Sequence, residues 1–218
     1  KNILVNFTRA LSYFVFKIFA KIYFRLKIEG GKNIPKGQSF IIAANHSSHL
    51  DFPIIFGSLP YSKMKDVIAP AAQDYFYTNP LRRRLIELAF NTFAFERMGN
   101  FVHSLKICSE IIKKGKSIIL FPEGTRSIEG KLQSFKPGVS SLSFELGVPI
   151  IPTYIVGAYE ALPKGSVFPK PEFIRVYFGK PIYPDAYKRL CKEKTNYEIY
   201  IIICKDVEDA IKNLITKE

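Results

Sequence analysis

The sequence predicts an α/β fold, with a central mixed, largely parallel sheet flanked by helices and an amphipathic helical segment at the N-terminus. Three observations lead there. Short apolar runs such as Ser117-Ile118-Ile119-Leu120-Phe121 and Val148-Pro149-Ile150-Ile151-Pro152 lack apolar–polar alternation, as expected of strands covered on both faces. Longer amphipathic stretches separate those runs, so β and α elements take turns along the chain. Finally, 218 residues, 47% of them hydrophobic and 23% charged, suffice for one sizeable core, fall short of two ordinary domains and exclude a disordered chain.

The first element is the stretch Lys1 to Lys27, which holds six basic residues, seven aromatics and no acid. Helical spacing of roughly 100° per residue stacks Lys17, Lys21 and Arg25 along one side and leaves Phe14, Ile18 and Ile22 for the remainder. Such a helix suits a membrane interface, with rings among acyl chains and cations at lipid phosphates. A helix packed on its own domain with a solvated basic edge shares the pattern. The longest uncharged run, between Arg9 and Lys17, is seven residues where a spanning helix needs about 20, so this segment does not cross a bilayer. Repeated cations and the lack of a small-residue cleavage site argue against a signal peptide.

After Glu29-Gly30-Gly31 and the turn Ile34 to Gly37, strands are expected at Ser39 to Ala44, Asp66 to Ala69, Thr92 to Phe95, Ser117 to Phe121, Pro149 to Ile155 and Phe173 to Phe178. Helices are expected at Phe52 to Ser58, Pro80 to Phe90, Phe101 to Lys114 and Val139 to Leu146, with a closing helix from Tyr197 to Thr216. Ala158 to Pro171, with three prolines and one glycine, reads as a long surface loop. The expected organisation is an interface helix over residues 1–30 and an α/β domain over 31–218.

Charge narrows the function classes. Against 19 Asp and Glu stand 32 Lys and Arg, a net charge of +13, which calls for an anionic partner: nucleic acid, an acidic membrane or a phosphorylated substrate. Cys108, Cys191 and Cys204 are odd in number and lack CxxC spacing, which excludes a disulfide framework and disfavours a cysteine zinc site.

The residues able to do chemistry gather where strands are expected to end. Two of the three histidines lie in Asn45-His46-Ser47-Ser48-His49-Leu50-Asp51. On one continuous helix His46 and Asp51 would stand about 140° apart, so a direct pair needs the histidine in a strand-to-helix turn and the aspartate in the helix's first residues. Pro53 supports that boundary. A carboxylate on one imidazole nitrogen fixes the tautomer and makes the other nitrogen a base. No Gly-x-Ser-x-Gly elbow supplies a serine, so the nucleophile would be a hydroxyl brought by the substrate. The same residues also suit Asn45 or Asp51 capping a helix, or a metal held by His46, His49 and Asp51.

The segment Phe121-Pro122-Glu123-Gly124-Thr125-Arg126-Ser127 combines a strand-stopping proline, a turn glycine, two hydroxyls and a guanidinium, a set able to hold a phosphate. A plain turn with a salt-bridged Glu123 fits it as well. Lys131 and Lys136 follow, and Arg97 stands just past an expected strand.

The ordered set Asn45 to Asp51, Phe95-Glu96-Arg97, Phe121 to Ser127 and Val148 to Pro152 resembles the four motif blocks of the glycerolipid acyltransferases, in the lysophosphatidic acid acyltransferase branch. The second block departs from the commoner pattern at Glu96 and lacks the opening glycine. The resemblance implies that His46 deprotonates the acceptor hydroxyl and Asp51 orients the imidazole. It implies that Arg97, Glu123, Gly124, Thr125 and Arg126 bind the acceptor's phosphate, with Lys131 and Lys136 as supporting cations and Glu123 fixing the arginines rather than touching phosphate. Pro152 is implied on the acyl-donor side. The expected partners are an anionic membrane surface contacted by Phe14, Lys17, Lys21 and Arg25, a lysophospholipid acceptor, and acyl-CoA or acyl-carrier protein as donor. No metal, no other cofactor and no nucleic acid are expected, and the expected location is peripheral, on the cytoplasmic face of a membrane.

Overall fold

The computed structural model describes residues 2–72, 79–81, 83, 84, 90–95 and 101–216. Its strands are β1 (Lys27–Glu29), β2 (Ile41–Ala44), β3 (Val67–Ala72), β4 (Thr92–Phe95), β5 (Ser117–Leu120), β6 (Ile150–Val156) and β7 (Arg175–Phe178). Among the described residues they form one sheet in the order β1-β7-β6-β2-β5-β3-β4. Strands β2 to β6 run parallel; β7 is antiparallel to β6, and β1 is parallel to β7. The helices are α1 (Asn2–Tyr23), α2 (Asp51–Ser58), α3 (Tyr61–Met64), α4 (Phe101–Lys113), α5 (Gly138–Leu146), α6 (Ala158–Ala161) and α7 (Asn196–Ile215).

The unalternating strands are covered on both sides. Ile42, Ala44, Ile119 and Ile151 belong to one core with Ala20 and Phe24, which follow along α1, and Ile54 and Ile55 of α2. Ile41, Ala43, Ile118, Leu120 and Ile150 belong to the other, with Cys108 and Ile112 of α4, Val139 and Leu142 of α5, and Ile199, Ile203, Val207 and Ile211 of α7. Full burial of each such side chain contributes roughly 1.5–3 kcal/mol, so the central strands are the most strongly held part of the molecule. A capping box starts α7, with Thr195 Oγ1 accepting from Glu198 N–H and the Glu198 carboxylate accepting from Thr195 N–H.

Four sequence expectations change. Lys27–Glu29, read as the tail of the first helix, is a strand: its three residues are exposed and carry no apolar run, and only pairing of Lys27 with Arg175 through Glu29 with Tyr177 makes it one. Gly30 ends it at φ 69°, where a Cβ would lie 2.0 Å from the Phe178 carbonyl oxygen, so no other residue fits. Arg25 lies beyond α1 with φ 46°, off the Lys17–Lys21 side, and its guanidinium sits 4.6 Å from the Phe173 ring centroid. The expected loop after Ala158 opens with α6, because Ala158 and Ala161 are small enough to bury in the first core. A 3-10 helix over Pro184–Lys192 was not legible either. Of the helix expected at Pro80 to Phe90, residues 80, 81, 83 and 84 are helical, and 82 and 85–89 lie outside the described residues.

The inner face of α1 packs on α2. Tyr13, Ala20 and Phe24 are fully buried, and Tyr13 donates from its hydroxyl to the Leu59 carbonyl at 2.7 Å. Its outer face carries Phe7, Leu11, Phe14, Val15, Ile18 and Ile22, all exposed. No helix among the described residues is long and apolar enough to cross a membrane.

Candidate active site

Because β2 and β5 are parallel neighbours, the turns that follow them leave the same edge of the sheet. Asn45 welds the first turn down: its Nδ2 donates to the Ile155 carbonyl at 3.0 Å and its Oδ1 accepts Ile155 N–H at 2.8 Å. His46 follows in the turn and Asp51 opens α2, the placement a direct pair requires. His46 Nδ1 lies 2.8 Å from Asp51 Oδ2. The same oxygen accepts Ser47 N–H at 2.7 Å and Ser48 N–H at 2.8 Å, and Asp51 is fully buried. An oxygen so used is an acceptor, which puts the imidazole hydrogen on Nδ1 and leaves the Nε2 lone pair for another proton. Asp51 Oδ1 is buried without a hydrogen-bond partner among the described residues. Such a group costs about 1–3 kcal/mol, stability given up at a functional position. Neither Asn45 nor Asp51 caps a helix, which removes that alternative.

The second turn builds the rest of the base's surroundings. Glu123 Oε1 accepts His46 N–H at 2.7 Å, and Ser127 N–H donates to the His46 carbonyl at 2.8 Å. The imidazole stacks on Phe121, with ring centroids 4.0 Å apart and planes 16° apart. His46 is therefore held at both main-chain polar groups, one ring face and one ring nitrogen. Its side chain is 11% exposed. Glu123 is almost wholly buried, and its other oxygen accepts Gln133 N–H at 3.2 Å. Burial pushes its carboxyl up to about 7, against the pull of the His46 and Gln133 N–H bonds. Both Glu123 oxygens thus accept main-chain amides, those of His46 and Gln133.

Gly124, at φ 78°, lets the turn reverse. A Cβ there would meet Lys136 Nζ at 3.0 Å, so the Lys136 ammonium lies directly against the turn. Lys136 N–H also donates to the Pro122 carbonyl at 2.9 Å. Gly124 and Thr125 are exposed and Arg126 is partly exposed. Lys131 instead pairs at the surface with Glu129 at 3.0 Å. Arg97 lies outside the described residues. Pro152 is buried within β6, opposite Ala43, at a point where the register with the returning chain slips by one residue between the Thr153–Phe178 and Ile150–Ile182 pairs. A strand interior tolerates proline at such an interruption. Among the described residues no three His, Cys, Asp or Glu side chains come together to hold a metal.

Spacing gave no sign of the Asn45–Ile155 weld, which depends on β2 and β6 becoming neighbours, or of Gln133, which depends on how the connection after β5 folds back on Glu123. Phe121 was legible only as a strand end.

The arrangement is a general base poised beside a basic turn, and the whole of it falls within residues 25–156, the part of the chain matched by the family model described as Acyltransferase. Two chloroplastic 1-acyl-sn-glycerol-3-phosphate acyltransferases are similar to this chain. One, from Brassica napus, is 30% identical over 88% of this chain and 56% of its own length. The other, from Arabidopsis thaliana, is 30% identical over 86% and 53%. The chain thus spans about half the length of these curated relatives. The crystal structure of the 1-acyl-sn-glycerophosphate (LPA) acyltransferase PlsC from Thermotoga maritima matches with a TM-score of 0.66 and 28% identity, over 90% of this chain and 78% of that one. With the matched region covering more than half of the chain and holding the buried histidine–aspartate pair, this chain belongs to the acyltransferase family.

Proposed function

We propose that the chain transfers a fatty acyl group from an acyl thioester, acyl-CoA or acyl-carrier protein, to the free hydroxyl of 1-acylglycerol 3-phosphate, giving phosphatidic acid at a membrane surface. The observation that carries the reading is the 2.8 Å His46–Asp51 pair fixed to the turn that holds Gly124 and Arg126. The acceptor hydroxyl gives its proton to His46 Nε2 as its oxygen attacks the thioester carbonyl. The carbon–sulfur bond then breaks, and the proton passes to the departing thiolate, so the products are an ester and a thiol. Asp51 stabilises the transient imidazolium and keeps Nε2 aimed outward. The turn after β5, with Arg126 and Lys136, anchors the acceptor's phosphate, and Arg97 completes that anchorage. Anchorage matters because a hydroxyl held in line converts a bimolecular attack into a positioned one.

Membrane placement is part of the same proposal. The outer face of α1 supplies an apolar stripe, Lys21 a cation beside it, and the net charge favours a phosphatidate-rich leaflet, with the enzyme peripheral on the cytoplasmic face.

The test is an acceptor panel with one labelled acyl thioester. Acylation of 1-acylglycerol 3-phosphate well above that of glycerol 3-phosphate and of lysophospholipids with substituted phosphates supports the proposal. Equal use of all acceptors, or turnover that survives His46→Ala, overturns it.

A further inference from the structure

Beyond α1, another exposed apolar feature is displayed by a firmly held segment. The chain between α6 and β7 projects Val167 and Phe168, about four-fifths exposed each, with Phe173 half-exposed at its base. The tip is not loose. Ser166 N–H donates to the Pro163 carbonyl at 3.1 Å and Lys170 N–H to the Ala161 carbonyl at 2.7 Å, and Pro163, Pro169 and Pro171 restrict the backbone between and after those bonds. Burying large apolar side chains is favourable, so an ordered protein that holds Val and Phe out in water at a stiff tip leaves a driving force for contact.

The surroundings of the tip fix the chemistry of what would cover it. Phe19 of α1 stacks on Tyr23 with centroids 5.0 Å apart, and the Tyr23 hydroxyl donates to the Pro169 carbonyl at 2.9 Å. The exposed face of α1 therefore runs on through Tyr23 to the residue next to Phe168. Lys164 and Lys170 flank the tip, and Arg25 caps Phe173, against the single exposed carboxylate of Glu172 within the loop. Aromatic and aliphatic side chains ringed by cations match the boundary between acyl chains and anionic headgroups. The loop's root is tied to the catalytic turn as well, since Ser48 Oγ donates to the Leu162 carbonyl at 2.8 Å while Ser48 N–H holds Asp51.

We propose that Val167 and Phe168 form a second footing on an anionic lipid surface, continuous with α1, so that the enzyme stands on two points. This rests on the membrane reading of α1 given above. Two footings fix the tilt of the molecule where a single helix leaves it free to roll, and the Ser48–Leu162 bond passes that fixed tilt to the base.

The chain contains no tryptophan, so a single introduced one reports its own surroundings. Phe168→Trp and, separately, Ile18→Trp are made in the full chain and titrated with equimolar phosphatidylcholine and phosphatidylglycerol vesicles, with and without brominated acyl chains. Blue-shifted emission and bromine quenching at both positions are expected. In parallel, Val167→Ser with Phe168→Ser is expected to weaken vesicle binding about tenfold while leaving turnover of a short-chain, monomeric acceptor unchanged. A shift at position 18 with water-like emission at 168 overturns the second footing and leaves the α1 reading standing. Water-like emission at both positions overturns both. Unchanged vesicle affinity of the double variant, with a change in oligomeric state, assigns the tip to a protein contact and also overturns the proposal.

Discussion

The edge of the sheet at β2 and β5 and the outer face of α1 are built on opposite principles. At the edge, His46 is held at both main-chain polar groups, at one ring nitrogen and on one ring face. Along α1, by contrast, Leu11 and Ile18 stand more than half exposed, each two residues and about half a turn from the fully buried Tyr13 and Ala20. Chemistry needs atoms fixed to a fraction of an ångström, and that precision comes from internal hydrogen bonds closed within the protein. Placement at a surface needs only apolar area and charge of the right sign, which solvent-facing side chains supply without order of their own.

Substitutions at the edge and on the outer face should therefore have opposite consequences. His46→Ala is expected to lower kcat by about 10²–10⁴-fold with the far-ultraviolet spectrum unchanged, and Asp51→Asn to fall in the same range by presenting the wrong tautomer. Retained turnover in either variant would remove the base. Phe24→Ala, on the inner side of α1's end, should cost about 3–5 kcal/mol in urea denaturation, because its site is closed and collapses poorly.

Glu123→Gln sharpens the comparison further. A glutamine keeps one acceptor for two main-chain donors, so kcat should fall about 10–100-fold while the acceptor's KM moves less than about threefold. A rise in KM larger than the fall in kcat would instead put Glu123 in direct contact with the phosphate. The same variant has a pH signature. The unfolded glutamate loses its proton near the ordinary value, whereas the buried one keeps it up to about 7. Between those values the folded state binds more protons, so stability from this group is full at the acid end and falls as pH rises through about 7, by on the order of 3 kcal/mol. Glu123→Gln should flatten that fall when denaturation is compared across the window. At the other extreme, Leu11→Ser and Ile18→Ser should change stability by less than about 0.5 kcal/mol while weakening vesicle binding, since neither leaves a cavity.

How far the sequence carried depends on the range of the interactions involved. Ser117–Leu120 and Thr92–Phe95 were legible because local apolar runs and turn residues decide them, and the His46–Asp51 pair was legible because five residues span it. Lys27–Glu29 was not, since its strand state comes from Arg175 to Tyr177, nearly 150 positions away along the chain. The bond from His46 N–H to Glu123 was hidden for the same reason: nothing in Pro122-Glu123-Gly124 announces that its carboxylate will meet an amide delivered by the turn after a neighbouring strand. The register slip beside Pro152 was equally hidden, since only the folded sheet contains it.

The anchoring of α1 bears on how its role is studied. Tyr13 reaches across to Leu59, Ala20 and Phe24 fill the layer beneath the sheet, and β1 follows within a few residues. Removing the first two dozen residues would open a hole under the central strands and strip β1 of the helix that leads into it. A shortened protein that fails to sediment with liposomes would be reporting collapse of its own floor. Surface exchange, one outward side chain at a time, is the surgery this architecture permits.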